Sequence, residues 1–493
     1  MRVVVVGAGA GGLSAGVRLA AAGHAVTVLE QGAAPGGKAG RLELAPPGAP
    51  DRVFRFDTGP SLLTMPWVVR SLFAQTGAPA AEAGVELVRV EPVTRYRFAD
   101  RSGVTLSADL PAALEALEAW SPGTGTDWAR FLGVCADMWR ASVPYLTGPP
   151  PWPPRLAGAA PPDPRDLVRV RPWHTLRGLA RATVRDPRLR TVIERFATYA
   201  GADPRRAPAA LAVAGYVEHA FGAWHVRGGL FRLVEALAER LALLGGDLRL
   251  GTRAVAIERR GTHVTGVLTA QGAIAADAVV WDGDARALDA LLGRAPRRPR
   301  EPSLSGLALM LGLDGRTPGL VHHQIRFPAD PHAEFDDVFA ARRPVRDPTV
   351  YVSASCVTDP ADAPPDGENW FVLVNAPAGV EADWESEADR VVASLGVGPR
   401  VVARAIRSPA DLETQTGALG GAIYGVAPHG RLGTLRRPGP RVRGVRGLVR
   451  AGGTAHPGGG LPLVLLGGEL AAREVMAQAP ASGSAPSHVP VAP

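Results

Sequence analysis

The feature that most constrains this chain lies in its first thirty residues. Val3, Val4, Val5 and Val6 form an unbroken β-branched run, the pattern of a strand buried on both faces. Gly7-Ala8-Gly9-Ala10-Gly11-Gly12 follows and carries G-x-G-x-x-G at Gly7, Gly9 and Gly12. Leu13, Val17 and Ala20 then share one helical face, the pattern stops at Gly23, and Ala25 to Leu29 reads as a second strand ending in Glu30. Each glycine has a physical task. Gly7 lets the chain turn tightly, Gly9 lets backbone approach a pyrophosphate, and Gly12 lets helix and strand pack closely, with the helix N-terminus facing the phosphates. Glu30 stands 18 residues past Gly12, where an acid can bond ribose hydroxyls. Together these predict an α/β dinucleotide-binding unit. The rival reading, a signal peptide of Arg2, an apolar stretch and Ala20-Ala21-Ala22, leaves the glycine spacing and Glu30 unexplained.

Composition narrows the class. In 493 residues, 46% hydrophobic content allows a sizeable core, and 59 Gly with 46 Pro stay short of a disordered composition. Two cysteines, Cys135 and Cys356, exclude a disulfide scaffold and a cysteine-cluster metal site, and fit a reducing cytosol. No apolar run is long enough for a transmembrane helix. The net charge is +7, and Lys38 is the only lysine among 54 basic residues. That charge suits nucleic acid, an anionic membrane or an acidic substrate. With 6% aromatics and no reading module, no nucleic-acid partner is expected.

A second glycine cluster, Gly36-Gly37-Lys38-Ala39-Gly40-Arg41, begins six residues after Glu30. It resembles the FAD-binding subset of two-dinucleotide-binding proteins, in which it supplies further backbone N–H groups and a cation at the Lys38 position. Two more stretches are Phe56-Asp57-Thr58-Gly59-Pro60-Ser61 and Ala451-Gly452-Gly453-Thr454-Ala455-His456-Pro457-Gly458-Gly459-Gly460-Leu461-Pro462. With these, the chain resembles the phytoene desaturase family of bacterial carotenoid desaturases, within the amine-oxidase-like flavoproteins. The resemblance runs from residue 1 to about 475 and includes Trp224 to Gly229, Ala276 to Asp284 and Val321-His322-His323. Arg195 to Tyr199, Ala207-Pro208-Ala209, Tyr216 to His219, Glu368 to Asn375 and Gly452-Gly453 look closest to the 1-hydroxycarotenoid 3,4-desaturases (the hydroxyneurosporene and methoxyneurosporene desaturase type). One departure stands out: Asp282-Gly283-Asp284 replaces the expected Asn-Ala-Asp.

The resemblance implies an α/β fold: a Rossmann-like FAD-binding domain, a mixed-sheet substrate domain and a helical cap. It implies FAD as cofactor, bound by Gly7, Gly9, Gly11, Gly12, Glu30, Gly36, Gly37, Lys38, Arg41, Thr58, Gly59, Pro60, Ser61, Val255 (through backbone groups at the adenine), Gly453, Thr454, Gly460, Leu461 and Pro462. It also implies a long apolar carotenoid substrate, with 3,4-dehydrogenation of a 1-hydroxylated acyclic end group as the leading activity. Phytoene or another acyclic carotene, or carotene isomerisation, is the alternative within the class. An amine or protoporphyrinogen oxidase is a different class, and a guanine-nucleotide dissociation inhibitor carrying prenyl cargo is a non-enzymatic one. The terminal electron acceptor, oxygen or a quinone, stays open.

Along the chain, the expected FAD-binding domain is discontinuous: 1–75, 225–300 and 430–478. Residues 76–224 form a mainly helical cap, 301–429 a substrate-domain sheet, and 479–493 a disordered tail. Residues 109–148 read as helices, with Trp128, Phe131, Leu132, Cys135 and Trp139 on one face, so Cys135 is a core thiol. Residues 149–164 read as a Pro-rich loop, 230–244 as an amphipathic helix, and 247–281 as hairpin strands. Residues 303–313, 349–357 and 370–375 read as strands walling a substrate tunnel.

Desaturation of an alkyl chain asks for an electron acceptor more than for an acid–base pair. Pro462 suits the first turn of a helix whose N-terminus would offer positive potential to a flavin edge. His456 is the candidate catalytic side chain, for orienting the flavin or taking the proton. His322 and His323 are neighbours on a strand and should face opposite ways; without acids at ligand spacing, no metal is expected. Nine arginines between Arg155 and Arg190, flanked by Trp152 and Trp173, read as a solvated face or a membrane-contacting patch. The expected location is cytoplasmic, peripheral at the inner face of the membrane.

Overall fold

The computed structural model describes residues 1–150, 163–296 and 298–478. The expected tail, most of the Pro-rich loop and Arg155 lie outside the described residues. Arg2–Val6 becomes the middle strand of a five-stranded parallel sheet. It pairs on one side with Ala25–Leu29 and on the other with Ala278–Trp281. Asp247–Arg249 and Leu448–Arg450 form the two edges. The parallel register explains the unbroken valine run: helices cover one face and a three-stranded antiparallel sheet (Ala254–Arg260, His263–Thr269, Gly272–Ala275) lies by the other.

The first helix, Ala10–Ala21, is buried along nearly its whole length. Small residues make that possible. A side chain on Gly468 of the last helix, Leu461–Ala477, would start 2.4 Å from the Gly11 carbonyl oxygen. Ser14 donates its hydroxyl to the Leu465 carbonyl at 2.7 Å, and Arg18 meets Glu469 at 3.1 Å. The first and last segments of the described chain thus form one helix pair. Leu233 and Leu237 of the helix Phe231–Leu243 close the same core.

The second sheet has seven strands in the order Val401–Arg407, Ser305–Asp314, Gly367–Ala376, Val350–Ser353, His323–Arg326, Thr94–Arg97, Gly103–Leu106. All neighbours are antiparallel except His323–Arg326 with Thr94–Arg97. Two expectations change here. Residues 94–106, assigned to a helical cap, are strands: Thr94 and Tyr96 face inward, and Asp100 accepts the Ser102 N–H across the turn. The segment 247–281 forms hairpins only in its middle, because Asp247–Arg249 and Ala278–Trp281 are drawn into the parallel sheet. The helices Leu110–Trp120 and Thr124–Thr147 do form, and Cys135 is buried with Trp128 and Phe131. Burial pushes its thiol far above the ordinary range, as an inert core thiol requires.

Candidate active site

Three distant glycine motifs are stitched together at the C-terminal end of the parallel sheet, where α/β sheets of this kind bind ligands. Gly7 has φ +105°, and a side chain on Gly12 would start 2.1 Å from the Gly7 carbonyl oxygen. Gly36 donates its N–H to the Ala8 carbonyl at 2.8 Å, and Thr58 donates to Gly40 at 2.9 Å. A side chain on Gly59 would start 1.8 Å from the Lys38 carbonyl oxygen. Glu30 ends its strand with both oxygens engaged, accepting the Ala8 N–H at 2.9 Å and the Gly32 N–H at 2.8 Å. This is a cradle of close backbone that side chains would fill, and it fits a dinucleotide.

One group in the cradle differs from expectation. The carboxylate of Asp282 lies over the start of the first helix, where side chains on Gly9, Gly11 and Gly12 would start 2.6, 2.5 and 2.9 Å from its oxygens. The glycine spacing reserves this place for a pyrophosphate; here an acid of the protein stands beside it. Burial, with Glu30 adding its charge, pushes Asp282 up to about 7 against the pull of the Gly12 and Gly9 amides. The sequence departure at Asp282 therefore sits at the anion-binding point.

The flavin-side motif packs beside it. Arg437 donates to the Gly453 carbonyl at 3.0 Å, and Thr454 accepts the Ala285 N–H at 2.9 Å. Gly460 precedes the last helix at φ +99°, no side chain caps that helix, and Pro462 lies in its first turn. Its N-terminal turn, Gly460, Leu461 and Pro462, lines a cavity together with Gly59, Pro60 and Ser61. Lys38 is half-buried with its Nζ donating to the Ile423 carbonyl, and loss of solvent around the ammonium pulls it down to about 8 although Asp284 and Asp282 favour its charge.

The far wall of the cavity comes from the second sheet and the cap: Ile325, Phe327, Tyr351, Leu373 and Phe335, with Arg195 and Tyr199. It is mostly apolar with a few buried polar groups. Arg195 donates to the Tyr199 hydroxyl at 3.0 Å, which donates to Glu218 at 2.9 Å. Burial opposes the Arg195 charge, but Tyr199, Tyr96 and Glu218 more than offset it and the guanidinium stays protonated. Glu334, also in the wall, accepts from Asn375 at 2.6 Å and from the Thr349 N–H at 3.2 Å, and burial raises it.

Other sequence candidates lie elsewhere. His456 is not on the cavity wall; its Nε2 meets the Gly148 carbonyl at 3.0 Å, tying the flavin-side turn to the end of a cap helix. Arg41 turns to Glu235 at 3.1 Å and lies over Phe231. Val255 is 49% exposed, so it is no core valine; the nearby Gly251 and Thr252 amides donate to Gly32 and Glu30. His322 and His323 do not diverge. The strand begins only at His323, and the two ring centres are 4.3 Å apart. Arg195, Tyr351, Glu334 and Asn375 were not marked as site residues by the sequence reading. Arg195 and Asn375 lie in stretches that carry the family resemblance; Glu334 and Tyr351 had no such signal.

Comparison with known proteins decides what this cradle and cavity belong to. The flavin containing amine oxidoreductase family matches residues 10–476. A hydroxyneurosporene desaturase of Rhodobacter capsulatus is 36% identical, over 96% of this chain and 97% of the relative. The chain belongs to the carotenoid desaturases of that family. A phytoene dehydrogenase of Streptomyces griseus is 35% identical over 97% of each chain, and a 1-hydroxycarotenoid 3,4-desaturase of a Flavobacterium species is 27% identical over 96% and 98%. Among solved structures, putrescine oxidase bound to putrescine matches at a TM-score of 0.63 and 18% identity, over 97% of this chain and 99% of that one. A Rab GDI from Plasmodium falciparum matches at 0.53 and 14%, over 82% and 88%. These structures share the fold. This carotenoid-desaturase family member is thus an FAD-dependent oxidoreductase, with the flavin amine oxidase architecture.

Proposed function

We propose that the chain desaturates an acyclic carotenoid, with the 3,4 bond of a 1-hydroxylated end group as its target. FAD, when bound, supplies the two-electron acceptor. The chain's own residues do the rest. The glycine cradle, with Lys38, Thr58 and Ser61, holds the cofactor. Ile325, Phe327, Phe335 and Leu373 exclude water and pack the polyene against the N-terminus of the last helix.

The observation that carries the finer reading is the Glu334–Asn375 pair in this apolar wall. A purely hydrocarbon end group gives such buried polar groups nothing to bond, whereas a tertiary hydroxyl can join them. The sequence around Asn375 is also one of the stretches that resembles the hydroxycarotenoid enzymes. The test is product analysis in cells accumulating either phytoene or a 1-hydroxylated acyclic carotene. A loss of two hydrogens from the hydroxylated carotene alone is expected. Conversion of phytoene would move the chain to an earlier desaturation, and conversion of neither by flavin-loaded protein would reject the carotenoid reading.

Contact with a membrane surface belongs to the same proposal, since a polyene must be collected from lipid. No helix among the described residues is long and apolar enough to cross a membrane. Leu167, Val168 and Trp173 are 47%, 60% and 53% exposed, beside Arg165, Arg169 and Arg171. Other arginines of that segment are committed inside the fold: Arg185 to buried Asp127, Arg188 to Asp186, Arg177 to Glu194. The patch that fits a lipid surface is therefore the smaller cluster around Trp173.

A further inference from the structure

Two motifs of the family resemblance, Trp224 to Gly229 and Val321-His322-His323, supply no residue of the glycine cradle, yet they meet. The His225 ring centre lies 5.3 Å from that of His322, which is 4.3 Å from that of His323. All three histidines are buried, and the Nε2 of each has no hydrogen-bond partner among the described residues. Buried polar atoms are nearly always paired. Three adjacent unpaired imidazole nitrogens call for a task other than packing.

The cluster connects two places. At one end Tyr351 places its hydroxyl 2.8 Å from His323 Nδ1 and 2.7 Å from Ser61 Oγ, and Ser61, His323 and Tyr351 all line the cavity. At the other end His225 Nε2 lies 3.8 Å from Asp362 Oδ2. Asp362 Oδ1 lies 3.6 Å from Arg55, whose side chain is 30% exposed. Between the ends, Thr358 Oγ1 at 2.7 Å engages His322 Nδ1 and leaves its Nε2 to exchange a proton.

We propose that Tyr351, His323, His322, His225 and Asp362 form a proton exit line from the cavity to the surface at Arg55. This rests on the desaturase reading. Forming the double bond breaks two C–H bonds on adjacent carbons. One hydrogen leaves with both bonding electrons and reduces FAD. The other leaves as a proton, without electrons, and must leave a reacting carbon packed against a mostly apolar wall. It enters through the Tyr351 hydroxyl, which passes its own proton to His323 Nδ1. No Nε2 of the cluster is hydrogen-bonded to a described residue at rest, so ring rotation must bring these nitrogens within reach of one another; the His323 Nε2 proton then passes by way of His322 Nε2 and His225 to Asp362, which releases it beside Arg55.

The electrostatics suit transit rather than storage. Burial holds His323 at about 3 and His225 at about 4, and His322 well below its usual range, so the three rings rest neutral. Burial pushes Asp362 up to about 6, close to the pH at which a carboxyl both takes and gives a proton. A metal is the rival occupant, because ligand atoms of His225, Asp359 and Asp362 lie within 4.8 Å of one another. One oxygen of each acid is engaged, Asp359 accepting the Gly228 N–H at 2.7 Å and Asp362 the Ser355 hydroxyl at 2.6 Å, while Asp362 Oδ1 accepts no hydrogen bond among the described residues, so metal analysis is part of the test.

The experiment follows flavin bleaching after rapid mixing of the holoprotein with a 1-hydroxylated acyclic carotene in micelles, in H₂O and D₂O. Tyr351→Phe and Asp362→Asn should slow bleaching about tenfold or more, leave KM unchanged and enlarge the solvent isotope effect. Wild-type rates in both variants would overturn the proposal. Wild-type protein that bleaches with no carotenoid would instead overturn the desaturase reading. A readout independent of turnover is ¹⁵N-histidine NMR of the unaltered protein. His323 should be neutral with its proton on Nε2; a doubly protonated ring, or a proton on Nδ1, would reject the line. So would one tightly bound divalent metal per chain.

Discussion

The carboxylate of Asp282 lies against Gly12 at the start of the first helix, 2.9 Å from where a side chain on Gly12 would begin, and the glycine spacing reserves that place for a phosphate. Two anions contend for one site. Asp282 sits at about 7, raised by burial. Its ionised form therefore opposes the pyrophosphate above neutral pH, and its protonated form does not. Asp282→Asn should tighten FAD binding by about tenfold near pH 8 and much less near pH 6. Fluorescence titration of the apoprotein reads this, and equal gains at the two pH values would reject it.

The same shift has a sign for stability. A carboxyl raised in the folded state binds more protons there than when unfolded, so stability falls as pH rises from about 4 to about 7. Asp57, raised to about 7 by burial despite the Leu230 and Phe231 amides it accepts, acts in the same direction. The Tm of the apoprotein should fall between about pH 5 and about pH 8, and Asp282→Asn should flatten the fall. Parallel curves for wild type and variant would contradict the assignment.

Arg18 and Glu469 pin the first helix to the last, with side chains 7% and 12% exposed. Burial lowers Arg18 to about 10, still far above neutral, so the guanidinium stays charged. Arg473 also reaches Glu469, so removing Arg18 leaves that acid half-paired; Arg18→Met should cost about 2 kcal/mol, while the double change with Glu469→Leu should recover much of it. Denaturant unfolding of the single and double variants measures both. A double variant no more stable than Arg18→Met would show that the pair is not the unit.

Selectivity should reside in Glu334 and Asn375. Replacing both (Glu334→Gln with Asn375→Leu) should lower kcat/KM for a 1-hydroxylated carotene relative to its unhydroxylated counterpart by about 10- to 100-fold. The ratio is the measurement, since a general loss of activity would move both substrates together. An unchanged ratio would place hydroxyl recognition elsewhere.

Membrane contact is read by flotation with anionic liposomes. Trp173→Ala with Val168→Ser should release most of the bound protein, whereas Arg185→Glu should act through stability, because Arg185 serves buried Asp127. Undiminished flotation of the Trp173 variant would remove this patch from the account.

The glycine motifs were legible because each is local: a strand, a turn and a helix start within a dozen residues. The last helix was legible from Gly460 and Pro462 for the same reason. Thr94–Arg97 was not: its hairpin with Gly103–Leu106 is short, and it joins a sheet through His323–Arg326, more than two hundred residues away. The histidine cluster draws on residues 225, 322, 323 and 362, and no spacing relates them. His456 drew attention through its motif, yet its side chain is taken by the Gly148 carbonyl. Asp282 was visible as a departure, but that its carboxylate would lie against Gly9, Gly11 and Gly12 required the sheet to be assembled.

The central sheet takes Arg2–Val6 from the beginning of the chain and Leu448–Arg450 from near its end, both beside Ala278–Trp281. During synthesis that closing strand and the helix after it are made after every other strand of the sheet. Until they fold, Ala278–Trp281 keeps an unpaired edge, a natural target for a chaperone. Gly453, Thr454 and Gly460 lie between that strand and that helix, so the flavin side of the cradle is the last to be built.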